Sequence, residues 1–160
     1  MVFFKKNKFD LTKFSFGGTS AIITNLALII GLNMTVNAKI NIISGLLIVA
    51  LADNISDTLG IHIYQESEGI RPINIWISTL TNFFSRLLVS LGFIFIIAIL
   101  PLNLATIISL IYGLLIMSAI SYIIAINKKI NPFMSVFEHI FITIVVILLS
   151  KYVGGFIKNF

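Results

Sequence analysis

Long apolar runs separated by short polar links make up nearly the whole chain. A transmembrane helix needs about 20 mostly apolar residues. Five stretches supply them: about Phe16 to Val36, Ile40 to Tyr64, Asn74 to Leu100, Leu102 to Ile126, and Pro132 to Val153. Pro101 separates the third from the fourth, because proline cannot continue a helix beyond its own first turn. Asn131-Pro132 reads as a helix start with proline at the first helical position. The first run is too long for a signal peptide and no small-residue cleavage site follows it, so it is expected to be retained. The pattern predicts an all-α integral membrane protein with five transmembrane helices. They form a single domain over 1–160, with a basic, aromatic interfacial lead-in at 1–15 and no separate soluble metal-binding domain.

Composition agrees. The chain has 160 residues, 58% hydrophobic and 11% charged, with mean hydropathy +1.08, against about 45–50% apolar and 25% charged in soluble domains. This excludes a water-soluble enzyme, a disordered protein and a nucleic-acid binder; the implied partner is the lipid bilayer. The net charge of +5 then reads as topology. Lys5, Lys6, Lys8, Lys13, Arg71, Lys128 and Lys129 fall on one side, and Lys39, Lys151 and Lys158 on the other. The richer side is cytoplasmic, which puts the N-terminus inside and the C-terminus outside or in a lumen. The chain contains no cysteine, so disulfides and thiolate metal sites do not arise. No metalloprotease, nucleophile-elbow or phosphate-loop motif is present, and the chain is not expected to be an enzyme.

Charges inside a bilayer are costly and mark function by default. The second run carries Asp53 and Asp57 at i and i+4, on one helix face. Asn54 and Ser56 flank them, and Gly60, Tyr64 and Glu68 continue that face. Two carboxylates a turn apart, with amide and hydroxyl neighbours, are oxygen ligands suited to a divalent cation. The alternative is helix–helix hydrogen bonding by partly protonated acids. At about 1.5 Å rise per residue, Asp57 lies roughly 10 Å and Asp53 roughly 16 Å from the cytoplasmic end of that run. Ser20, Thr24 and Asn25, then Ser85 and Arg86, Ser118 and Ser121, and Glu138 and His139 fall at similar depth in the other four. The outer halves, such as LLVSLGFIFIIAIL, are nearly all apolar. A polar vestibule open to the cytoplasm is therefore expected below an apolar plug. Arg86 is a candidate counter-ion, either bridging to Asp53 and leaving one carboxylate free, or snorkelling to the headgroups. His62 and Glu66, again i and i+4, are either a solvated interfacial pair or a site of metal access or proton relay.

The motifs resemble the vacuolar iron transporter family in its short prokaryotic form. GGTSAIITNLALIIGL is similar to the first-helix signature GANDGLVTTFALVAGV, and ALADNISDTLGIH to the second-helix signature AGAISMALGEY. The tail INPFMSVFEHIFITIVVILLSKYVGG resembles its last helix. The departures fall on functional positions. Ser20 stands where the family has an aspartate, Asp57 where it has a methionine, and Ile61 or His62 near its glutamate. The acidic domain that vacuolar members insert after the second helix is replaced by a short link with Glu66 and Glu68.

The resemblance implies a homodimer in a prokaryotic cell membrane, exporting Fe²⁺ or Mn²⁺ from the cytoplasm by proton antiport, with the ion as cargo and no resident cofactor. The expected ligands are Asp53, Asp57, Asn54, Ser20 and Thr24. His62, Glu66, Glu68, Glu138 and His139 are candidates for access or relay. The rival readings are a non-transporting membrane scaffold or partner subunit on the same fold, and a transporter or channel for another small cation.

Overall fold

The computed structural model describes the backbone from residue 11 to residue 158, with side chains from Phe16 onward. Residues 1–10 of the expected lead-in lie outside the described residues. The described chain is helical throughout, joined by short turns: α1 (Leu11–Leu32), α2 (Ala38–Ser67), α3 (Pro72–Ile99), α4 (Leu102–Lys128) and α5 (Pro132–Ile157). The helix α1 starts at Leu11, inside the stretch expected as a lead-in. Four of the helices, α2 to α5, are long and apolar enough to cross a membrane, while the described apolar part of α1 is the shorter Phe16–Leu32.

Proline sets several boundaries. Pro72 and Pro132 occupy the first turns of α3 and α5, where a missing N–H costs nothing. Asn131 accepts hydrogen bonds from the backbone N–H groups of Phe133 and Met134 and so caps α5. After Ile99, Leu100 turns extended ahead of Pro101, and α4 starts at Leu102.

Helix α1 packs against all four others; α2 packs on α3 and α1. The core holds Ile22, Leu26 and Ile29 of α1, Ile42 and Leu46 of α2, Phe93 and Ile97 of α3, and Met117 of α4. Large apolar side chains such as Leu51, Leu88, Leu115, Phe137 and Leu148 are exposed on the outside. A protein apolar both inside and out suits a lipid solvent, and the chain is a multi-pass membrane protein by this pattern.

Two helix contacts need glycine. Gly154 of α5 sits on the backbone carbonyl of Gly31 in α1, and Gly17 of α1 sits on Asn82 and Ser85 of α3, closer than any Cβ would allow. The small residues at the start of α1 therefore serve contact within the chain.

Helix α2 is interrupted at mid-span by a π-turn, Val49–Asp53. Its buried positions, Ala38, Ile42, Leu46, Ala50, Asn54 and Thr58, are spaced four apart. In a regular α-helix each such step drifts by about 40°, so five would carry the stripe about 200° around. The extra residue of the π-turn takes back about 100° of that drift, and one face of α2 stays against α3 along its whole length.

Candidate cation site

Asp53, the last residue of the π-turn, and Asp57, one turn on, project toward α1 and α3. Arg86 of α3 meets both. Its Nη2 donates to Asp53 Oδ2 at 2.5 Å, and its Nη1 lies 2.6 Å from Asp57 Oδ2. The same Nη1 donates to Ser20 Oγ of α1 at 2.7 Å, and Ser20 Oγ is 3.5 Å from Asp57 Oδ2. Arg86 is 1% exposed, while each aspartate side chain is 41% exposed. A buried guanidinium thus holds one oxygen of each of two half-exposed carboxylates. Two negative charges against one positive leave the cluster one charge short of neutral.

The expectation that Arg86 would neutralise one carboxylate and leave the other free is corrected here. The guanidinium fork presents two N–H directions, and acids one turn apart match both. Of the expected ligands, Ser20, Asp53 and Asp57 come together. Asn54 does not join them. One residue on from Asp53, it is rotated about 100° away, buried, donating to the Phe83 carbonyl of α3 at 3.0 Å. Thr24 is half-buried on α1, a turn beyond Ser20. Among the described residues no group of three His, Asp or Glu side chains is close enough to hold a metal ion. An ion here would be held by two carboxylates and a hydroxyl, in competition with Arg86.

Around this cluster runs a polar seam. Ser78, Asn82, Arg86 and Ser90 lie four apart on α3, all buried. Asn82 donates to Thr58 Oγ1 at 3.0 Å, and Thr58 donates to Asn54 Oδ1 at 3.3 Å. One turn beyond Arg86 on α3, Ser90 Oγ accepts from Asn25 Nδ2 of α1 at 2.8 Å. Asn25 Oδ1, Asn82 Oδ1, Arg86 Nε and Ser109 Oγ are buried without a hydrogen-bond partner, and such groups inside a protein normally hold water. Ser90, Asn82 and Ser109 were not among the expected site residues; the four-residue spacing through Arg86 is the signal that points to the first two.

The remaining candidates fall elsewhere. His62 meets Thr79 of α3 at 2.9 Å and Glu66 at 3.5 Å, near the end of α2 that leads into the Arg71 turn. Glu68 is exposed in that turn, next to the C-terminal end of α2. His139 of α5 meets Ser121 of α4 at 2.8 Å, and Glu138 beside it is exposed on the outer surface. Ser118 and Ser121 turn their hydroxyls back to Leu114 and Met117 of their own helix. His139 and Ser121 thus join α4 to α5 in a contact that involves neither aspartate.

The chain matches no family model, no curated protein and no solved structure.

Proposed function

We propose that this is a transporter of small cations, and that Ser20, Asp53 and Asp57 form the carrying site with Arg86 as its fixed counter-ion. The observation that supports it is the pair of half-exposed carboxylates tied to a fully buried arginine. Charges at mid-span are expensive, and a structural ion pair would need one acid. The second acid leaves a net negative charge that a proton or a metal ion can neutralise. Proton and metal then compete for the same oxygens, which is the chemistry of proton-coupled exchange.

The cargo we propose is Fe²⁺ or Mn²⁺, on the resemblance to the vacuolar iron transporter family. Five spans, a cytoplasmic N-terminus, export from the cytoplasm and a homodimer in a cell membrane belong to the same proposal. A second copy or a water-filled vestibule would cover the open side of the carboxylates. One observation favours a second reading. Arg86 engages both acids at once, as it would in a non-transporting scaffold.

Proteoliposomes loaded from the site's open side separate the two. The wild type takes up Mn²⁺ or Fe²⁺, and Asp57→Asn, which keeps shape but removes a charge, abolishes uptake while the protein stays folded. Acidifying the loading side slows uptake, since carboxylates that carry a proton release the metal. No uptake by either protein, at any pH, supports the scaffold.

A further inference from the structure

The two histidines of the chain share one arrangement. Thr79 Oγ1 donates to the Ile75 carbonyl at 2.9 Å and also meets His62 Nδ1 at 2.9 Å. Ser121 Oγ donates to the Met117 carbonyl at 2.7 Å and meets His139 Nδ1 at 2.8 Å. A hydroxyl has one proton. Both contacts of each hydroxyl are hydrogen bonds only if the imidazole Nδ1 is the donor. Each ring is thereby held as the Nδ1–H form, with the lone pair of a neutral ring on Nε2. This is how a metal-binding histidine is prepared: the far nitrogen is anchored, and the near one is left basic and oriented.

The two differ in what Nε2 meets. At His62 it lies 3.5 Å from the Glu66 carboxylate. The lone pair of a neutral ring facing an anionic oxygen is satisfied by a cation between them, a proton in the ordinary ion pair or a metal ion in its place. Gln65, on the same side of α2, donates through Nε2 to Ser78 of α3 at 2.9 Å, and its Oε1 is buried with no partner. An imidazole nitrogen, a carboxylate and an orphaned amide oxygen thus lie within one helical turn. His62 is largely buried, with 14% of its side chain exposed, and Glu66 is 59% exposed, so the site has a protein wall and an open mouth.

We propose that His62 and Glu66, with Gln65 beside them, bind a first-row divalent metal ion at this end of α2. Imidazole with carboxylate and carbonyl oxygen selects ions such as Mn²⁺, Fe²⁺, Co²⁺, Ni²⁺ or Zn²⁺ over Mg²⁺ and Ca²⁺. The site is separate from the aspartates: His62 lies five residues beyond Asp57, about 7 Å along the helix. It stands whether or not the aspartate cluster transports.

The molecule carries its own reporter. Trp76 is the single tryptophan, and its ring packs edge-on against His62 with centroids 4.8 Å apart. Titration of Ni²⁺ or Co²⁺ into the full-length protein in detergent should quench Trp76 fluorescence saturably, reversed by a chelator and not reproduced by Mg²⁺. Glu66→Gln leaves the His62–Trp76 contact in place and should weaken the apparent affinity tenfold or more, as should His62→Gln. Thr79→Val, which frees the ring, should weaken it several-fold. Asp57→Asn and His139→Gln should leave it unchanged, even if Asp57→Asn abolishes transport. Absence of saturable quenching, or quenching of equal affinity in Glu66→Gln and His62→Gln, overturns the site. Loss of quenching in Asp57→Asn alone would place the metal at the aspartates and overturn it equally.

Discussion

Arg86 is the residue on which three helices converge, and its two aspartates are redundant partners in one sense only. With either acid removed, the guanidinium keeps a carboxylate within 2.6 Å. With both removed it is a buried cation without a counter-charge. Asp53→Asn and Asp57→Asn should therefore each change stability little, by about 1 kcal/mol. The double variant should lose about 3 kcal/mol, toward the range for breaking a buried pair. Unfolding in detergent by a chemical denaturant measures this, and a double variant no worse than the sum of the singles would mean that Arg86 does not need them. Much of this cluster was legible in the sequence. Acids at i and i+4 had to share a face, and helix rise alone put Arg86 and Ser20 near their depth. Which acid Arg86 would take was not legible, because it depends on how closely α2 and α3 approach. Asn54 was misplaced for a simple reason: adjacency in sequence is a rotation of about 100° on a helix.

At the scale of the helix, punctuation was readable and internal irregularity was not. Pro101, Pro132 and the Asn131 cap mark ends that the sequence shows, and Pro72, which opens α3 two residues before the expected Asn74, is a mark of the same kind that this boundary passes over. The π-turn at Val49–Asp53 has no such mark, since nothing in VALAD forbids an ordinary helix. It follows from the packing of α2 on α3, whose buried positions recur every four residues. The same dependence on partners separates glycines that look alike in sequence. Gly154 faces the Gly31 carbonyl directly, whereas nothing lies within 4 Å of a Cβ built on Gly60. Gly154→Ala should force α1 and α5 apart and cost about 1–3 kcal/mol, as overpacking does. Gly60→Ala should be neutral or stabilising by up to about 1 kcal/mol through the helix propensity of alanine. Thermal unfolding of the two variants in the same detergent checks the contrast, and equal shifts would mean that the α1–α5 contact is looser than it stands here.

At the scale of the whole molecule, the number of membrane crossings turns on α1. Four helices are long and apolar enough by themselves, and α1 decides whether the count is odd or even. The full α1 has 22 residues, which at 1.5 Å each is about 33 Å and enough for a hydrocarbon core of about 30 Å. It also packs against all four of the others, and a helix lying along the membrane surface could not do that. Two of its polar side chains point inward, with Asn25 bonded to Ser90 and Ser20 to Arg86, so removing it would take those partners from buried polar groups on α3. With α1 as a span, the short turns reverse direction four times and the two ends of the chain face opposite sides. Arg71, Lys128 and Lys129 lie at the end of the bundle where α1 begins, and Lys39, Lys151 and Lys158 lie at the other. The bias comes from Lys5, Lys6, Lys8 and Lys13 of the sequence, and it is on these that the proposed orientation, with the beginning of α1 in the cytoplasm, rests. A tag fused after Phe160 should accordingly be labelled by an impermeant reagent in intact cells, and a cytoplasmic reporter fused there should stay silent. An active cytoplasmic reporter at the C-terminus would require either four spans or the opposite orientation. A second fusion ahead of α1 tells these apart: with the C-terminus inside, four spans keep the N-terminus inside as well, and the inverted five-span arrangement puts it outside.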